Sequence, residues 1–331
     1  MTTNRLQRRD VLGLGGMAMA ATASGLCVPA RFANAAAEPA GTQAPAYFRF
    51  MVGDFEVTSV SDGSLYLEPA TLLSPSAPEA ELLGLLEQNF LPTDHIVSPV
   101  NLTLVNTGEQ LVLFDAGSGL NFQPSAGKVV DTLEAAGLSP DDIDLVVMTH
   151  AHPDHCWGLI DDFVEEPRFA NAAYVIGETE WDFWTSEETL ASMPDEGKPF
   201  VLGAQRNLKP LAADVERIAD GAEIVPGITA ISTPGHTPGH MSYLIASGED
   251  QLIVTGDVVN HAYVSFQRPD WAFGFDADQE LAPKTRRALL DRAASDRVLV
   301  LGYHLPFPGV GHVAAEGDAF RFVPKPWVYE L

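Results

Sequence analysis

His150-Ala151-His152-Pro153-Asp154-His155 places three imidazoles and a carboxylate within six residues, directly after the apolar run Ile143–Met148. Imidazole nitrogens suit zinc, iron, nickel and copper, and a carboxylate adds an oxygen donor for a second ion. A polar turn with structural histidines would have to gather three of the chain's nine here. The same donor types recur past three more apolar runs. Ile228–Ser232 leads into Thr233-Pro234-Gly235-His236-Thr237-Pro238-Gly239-His240, Gln251–Thr255 into Gly256-Asp257, and Val298–Leu301 into Gly302-Tyr303-His304. The glycines and prolines let the backbone turn sharply at each of these places.

A short apolar run bounded by polar residues reads as a buried strand. Loops leaving the C-terminal ends of such strands are where open α/β sheets collect their sites. If the four strands share an edge, the four donor clusters converge. The rest of the chain supplies matching elements. Strands are expected at Phe55–Ser61, Asn101–Asn106 and Gln110–Phe114, a helix near Ala126–Ala136, then the strand Ile143–Met148. The second half repeats the order with strands Ile228–Ser232, Met241–Ala246 and Gln251–Thr255, a helix near Pro283–Ala294 and the strand Val298–Leu301. Two halves of this kind suggest two sheets packed face to face with helices outside.

The pattern HxHxDH…H…D…H, standing here as His150, His152, Asp154, His155, His236, Asp257 and His304, resembles the metallo-β-lactamase superfamily. The resemblance spans nearly all of the chain past its leader and implies an α/β fold, the αβ/βα sandwich of two mixed sheets. It implies two divalent metal ions, zinc first, with manganese, cobalt or iron accepted by the same donors. His150, His152 and His236 would hold one ion, Asp154, His155 and His304 the other, and Asp257 would bridge them. Asp257, His304 and Asp154 are then the catalytic candidates, around a water that the two ions activate as hydroxide. The Asp257 position is cysteine in dinuclear zinc β-lactamases, so a carboxylate points towards esters, lactones, thioesters or phosphoesters. Histidine ligands need their second nitrogen held. Asp115, Thr149 and His240 are the candidates for that, although Asp115 reads equally well as a turn residue and His240 as a structural histidine.

Ser61-Asp62-Gly63, Gly53-Asp54-Phe55, Arg321-Phe322-Val323-Pro324 and above all His304-Leu305-Pro306-Phe307-Pro308-Gly309-Val310-Gly311-His312 are similar to the methyl parathion hydrolase group, whose relatives open lactones and aryl esters. That likeness puts Phe122, Trp184 and Phe200 in the substrate pocket, with Asn260 and Phe273 from the segment Asn260–Ala282. Polar residues at Val259-Asn260-His261 favour a lactone or aryl ester, with organophosphate triesters as a side activity. Phosphotriester hydrolysis as the main activity and a glyoxalase II-like thioesterase stay open, as does a metal-binding protein without turnover.

Arg8-Arg9 ahead of a weakly apolar Gly13–Val28 stretch and Ala33-Asn34-Ala35 read as a twin-arginine-type export signal over residues 1–35. A linker over 36–46 and one hydrolase domain over 47–331 would follow, in the periplasm or outside the cell. Removing residues 1–35 takes away four Arg and one Asp, so the net charge of −26 becomes −29. Such acidity argues against nucleic acid or an anionic membrane as partner and favours a small neutral apolar substrate. Cys156 would be the single remaining cysteine, which excludes an internal disulfide. Exposed aromatics could serve a homodimer as readily as a lid.

Overall fold

In the computed structural model, which describes Gly41, Gln43 and residues 46–331, the apolar runs pair into two seven-stranded sheets. The leader over 1–35 and most of the linker over 36–46 lie outside the described residues. The first sheet runs in chain order: β1 (Tyr47–Val52), β2 (Phe55–Leu67), β3 (Ile96–Asn106), β4 (Leu111–Phe114), β5 (Leu145–Val147), β6 (Ala173–Gly177) and β7 (Val215–Ile218). The second holds β8 (Glu223–Val225), β9 (Ile228–Ser232), β10 (Met241–Ser247), β11 (Asp250–Val254), β12 (Leu299–Leu301), β13 (Val310–Glu316) and β14 (Ala319–Pro324). Both sheets are mixed, parallel from β4 to β7 and between β11 and β12 and antiparallel elsewhere.

Strand alternation explains the apolar runs. Side chains along a strand face opposite sides in turn. In β5, Leu145 and Val147 enter the core between the sheets, whereas Val146 faces an outer core. In β11, Leu252 and Val254 point between the sheets, and Ile253 points outward. A strand covered on both faces needs apolar residues at every position, which is why these segments read as continuous runs. The inter-sheet core includes Phe114 against Tyr243, ring centroids 5.1 Å apart. Burying an aliphatic side chain there contributes about 1.5–3 kcal/mol.

Helices cover both outer faces. On the first sheet lie α2 (Val129–Ala135), α4 (Glu178–Thr185) and α6 (Lys198–Leu208), which bury Leu133, Trp181, Val201 and Leu208. On the second lies α8 (Leu281–Asp296), through Leu289, Leu290 and Ala293. The short helices α1 (Glu79–Gln88), α3 (Pro153–Cys156), α5 (Glu187–Ser192) and α7 (Val264–Gln267) complete the set. No helix among the described residues is long and apolar enough to cross a membrane.

The expected elements are present with shifted ends. The strand expected at Phe55–Ser61 continues to Leu67 past a register shift between Ser61 and Gly63. The first-half helix starts at Val129 because Gly127 holds φ 74°, outside the helical region. The second-half helix begins at Leu281 ahead of Pro283, whose missing N–H costs nothing in a first turn.

Candidate metal centre

Four loops leave the two sheets at one edge and bring the donors together. β5 ends at Val147, and the loop turns into α3 with His150 and His152 before it and Asp154 and His155 on it. His236 sits between β9 and β10, Asp257 in the turn after β11 and His304 in the turn after β12. The Tyr243 hydroxyl donates to Met148 O at 2.8 Å, pinning the second sheet to the root of the first loop.

Two trios of donor atoms result, His150 with His152 and His236, and Asp154 with His155 and His304, and a third group, His150 with His155 and Asp257, links them. His152 Nδ1 lies 3.1 Å from His150 Nε2 and 2.9 Å from His236 Nε2. A tetrahedral zinc with bonds of about 2.0–2.1 Å sets its ligand atoms about 3.3 Å apart, so this trio has the spacing of one coordination shell. Asp154 Oδ2 is 3.2 Å from His304 Nε2 and 3.5 Å from His155 Nε2. Asp257 spans both groups, with Oδ2 3.3 Å from His236 Nε2 and 3.2 Å from His304 Nε2 and Oδ1 3.4 Å from His155 Nε2.

The donor set fits metal ions on two independent grounds. Asp154 Oδ2, Asp257 Oδ1 and His155 Nε2 are buried without a partner in hydrogen-bonding geometry, a costly state unless something else binds them. Moreover, four of the five histidines have their other nitrogen fixed by an acceptor. His155 Nδ1 donates to Asp115 Oδ2 at 2.9 Å, His236 Nδ1 to Asp276 Oδ1 at 2.9 Å and His304 Nδ1 to Pro99 O at 2.8 Å. His150 Nδ1 faces Thr149 Oγ1 at 3.1 Å, and that hydroxyl donates to Asp115 Oδ2 at 2.8 Å. Each bond sets the tautomer that leaves Nε2 as a lone pair aimed inward.

The electrostatics match. Burial, then the neighbouring imidazoles, hold His150 well below the ordinary histidine value and His152 down to about 3. Burial works against ionisation of Asp257, yet His304 and His155 outweigh it and hold that carboxyl well below the usual range. Burial likewise opposes charge on His304, but Asp257 and Asp154 push it up to about 10. The carboxylates therefore demand positive charge at this point, which divalent ions would satisfy.

Behind the donors, Asp115 adopts φ 64° and accepts from Thr149 N at 2.7 Å. His240 Nε2 accepts from Asp257 N at 3.0 Å, and its Nδ1 meets Thr233 Oγ1 at 2.8 Å. Gly256, at φ 51°, admits this ring, because a Cβ there would stand 2.6 Å from His240 Nε2. Three supports were not anticipated from sequence. Asp276 is joined to buried Arg286 at 3.1 Å. Tyr303 stacks on His155 with centroids 3.8 Å apart. Glu180 accepts four hydrogen bonds from the donor loops and Trp184; burial raises its carboxyl, and those bonds oppose the rise.

A cavity of about 260 Å³ opens over the donors. Leu65, Leu67, Phe122, Phe200, Phe273 and Phe275 form its apolar walls, and among the described residues neither lysine nor arginine lines it. Of the residues expected in a substrate pocket, Phe122, Phe200 and Phe273 line this cavity. Trp184 and Asn260 do not line it. Trp184, one helical turn after Glu180, points inward and donates from Nε1 to Glu180 Oε1 at 2.6 Å. Asn260 folds back on the turn before it, its Nδ2 donating to Asp257 O at 3.0 Å. The contrast drawn from Val259-Asn260-His261 therefore does not reach the cavity wall.

Residues 95–304 match the Metallo-beta-lactamase superfamily family model. An N-acyl homoserine lactonase of Bacillus cereus is 25% identical over 191 residues, 58% of this chain and 67% of the lactonase. The uncharacterized protein YobT of Bacillus subtilis (strain 168) is 27% identical over 60% of this chain and 80% of its own length. Among solved structures, AidC, a dizinc quorum-quenching lactonase in complex with a product, is 28% identical with a TM-score of 0.81, over 86% of this chain and 98% of AidC. The hydrolase AbOPH, of the beta lactamase superfamily, is 28% identical with a TM-score of 0.80, over 87% of this chain and all (100%) of AbOPH. The chain belongs to the metallo-beta-lactamase superfamily, as a hydrolase homologous to the N-acyl homoserine lactonases.

Proposed function

We propose that the protein is a dinuclear metal-dependent lactonase that opens neutral lactones carrying an apolar acyl group. The observation that carries this reading is the pairing of the seven-residue donor cage with a cavity walled by leucine and phenylalanine and, among the described residues, free of basic side chains. Apolar walls favour an acyl chain, and the lack of Lys or Arg offers nothing to the carboxylates of a glutathione thioester.

His150, His152 and His236 would hold one ion, Asp154, His155 and His304 the other, with Asp257 between them. When bound, such a pair lowers the pKa of water towards neutrality and polarises an ester carbonyl. The chain's own groups do the rest. Asp115, Asp276, Thr149 and Pro99 O keep the imidazoles aimed. Phe122, Phe200 and Phe273 exclude bulk water and seat the acyl chain. The alkoxide released by ring opening needs a proton, and the Asp154 carboxylate, in the cavity wall, can pass on the one that the attacking water gives up.

Initial rates on homoserine lactones of increasing acyl length, dihydrocoumarin, p-nitrophenyl esters, paraoxon and a glutathione thioester test this reading. Lactones should turn over best, with kcat/KM rising with acyl length. Asp257→Ala or His152→Ala should lower it about a thousand-fold or more, the scale of the several kcal/mol supplied by metal polarisation. Undiminished turnover after chelation, or paraoxon or the thioester as best substrate, would overturn it.

A further inference from the structure

His152 stands apart from the other four histidines of the cage. Its Nδ1 faces the donor trio, and among the described residues nothing accepts a hydrogen bond from its other nitrogen. What fixes the ring is the Trp184 indole, packed edge-on at 5.4 Å and 75°, together with the backbone of the 150–152 loop. Both are held by one buried side chain.

We propose that Glu180 is the positioning residue for the three-histidine half of the centre, setting the distance between the loop of His150 and His152 and the loop of His236. The proposal rests on the metal-centre reading above. Glu180 lies in the first turn of α4 and is fully buried. Its Oε1 accepts from Ala151 N at 2.9 Å and Trp184 Nε1 at 2.6 Å. Its Oε2 accepts from Thr237 Oγ1 at 2.7 Å and Gly239 N at 3.0 Å. Ala151 lies between two of the donors, and Thr237 follows the third. Among the described residues no other side chain outside the donor set accepts hydrogen bonds from both loops. Three of its four partners are N–H groups, which can only donate, so the acceptor-only carboxylate suits the site and an amide does not. The close approach also dictates a neighbour, since a Cβ on Gly239 would stand 2.1 Å from Glu180 N. None of this bears on Asp154, His155 or His304, which are braced by Asp115, Tyr303 and Pro99 O.

The consequence is selective. Glu180→Gln puts an NH2 group where two donors converge and should loosen one ion while leaving the other. Zn²⁺ content after dialysis, chelator competition and the visible absorption of the Co²⁺-loaded protein read this without turnover. One ion is expected to stay at wild-type affinity and the other to weaken about 10–100-fold, the usual cost of losing a group that orients ligands. Thr237→Val removes a single donor without changing charge and should weaken the same ion less; it decides the matter if Glu180→Gln does not fold. Asp62→Asn is the control, because Asp62 is equally buried and accepts from Ser118 N, Gly127 N and Val129 N, none of them on the loops that carry the donors. It should lower the melting temperature and keep both ions. Folded Glu180→Gln and Thr237→Val proteins with two ions at wild-type affinity overturn the proposal, as does parallel weakening of both ions. A wild-type protein that takes up no divalent ion overturns the metal-centre reading as well.

Discussion

Asp115 combines two demands that few residues meet. Its backbone sits at φ 64°, a region that costs an ordinary L-residue about 1–2 kcal/mol and that Asp and Asn tolerate best. Its carboxylate meanwhile takes Thr149 on both oxygens and His155 on one. Asp115→Asn keeps the backbone preference but sets an NH2 group against a donor, so it should lose about 1–3 kcal/mol and bind metal about 10–100-fold more weakly, whereas Asp115→Ala should lose about 1–2 kcal/mol more through the backbone. Metal titration and thermal melting separate the two effects. Residues of this kind were partly readable in the sequence. Thr149 and His240 lie beside strand ends that carry donors, and Asp115 closes a further apolar strand, so attention falls on them. Asp276 and Glu180 lie in segments without a repeating pattern, and Glu180 looks like any acid opening a helix. Only the folded chain sets them against Ala151, Thr237 and His236. Trp184 and Asn260 failed as pocket residues for the converse reason, since a residue's type does not say which way its side chain points.

At the scale of elements, α8 is tied to the site through Arg286. Its guanidinium donates to Val258 O at 2.7 Å and to Trp271 O at 2.5 Å, and pairs with Asp276 Oδ2 at 3.1 Å. It thus anchors both the turn of Asp257 and the segment bearing Phe273. Arg286→Met would strand the buried Asp276 carboxylate, and breaking such a pair costs about 3–5 kcal/mol. Urea unfolding should show a loss of that size, and a change below about 1 kcal/mol would mean the pair is not what holds α8 in place. The strands under the site were legible because burial on both faces forces an unbroken apolar run, as in β5 and β11. β1, β13 and β14 were not, since strands with an exposed side mix polar with apolar residues; in β13, His312 and Glu316 are exposed.

For the whole molecule, the donors carry more charge than the fold alone can justify. Bringing Asp154 and Asp257 together within the cage, in a chain already at −26, opposes compaction unless cations share the site. Chelation should lower the melting temperature, and Zn²⁺ or Mn²⁺ should restore it. An ion at a hundredfold excess over its Kd contributes about 2.7 kcal/mol. A melting curve indifferent to chelator would remove the ions from the stability of the fold.

The cage also imposes an order in time. Its donors come from both sheets, and neither trio is complete within one of them. A chain emerging from the ribosome presents His150, His152, Asp154 and His155 early, yet the first trio waits for His236 and the second for His304. By then five of the seven strands of the second sheet, β8 to β12, have been made, so filling of both positions would fall late in synthesis and would report that the two sheets have docked.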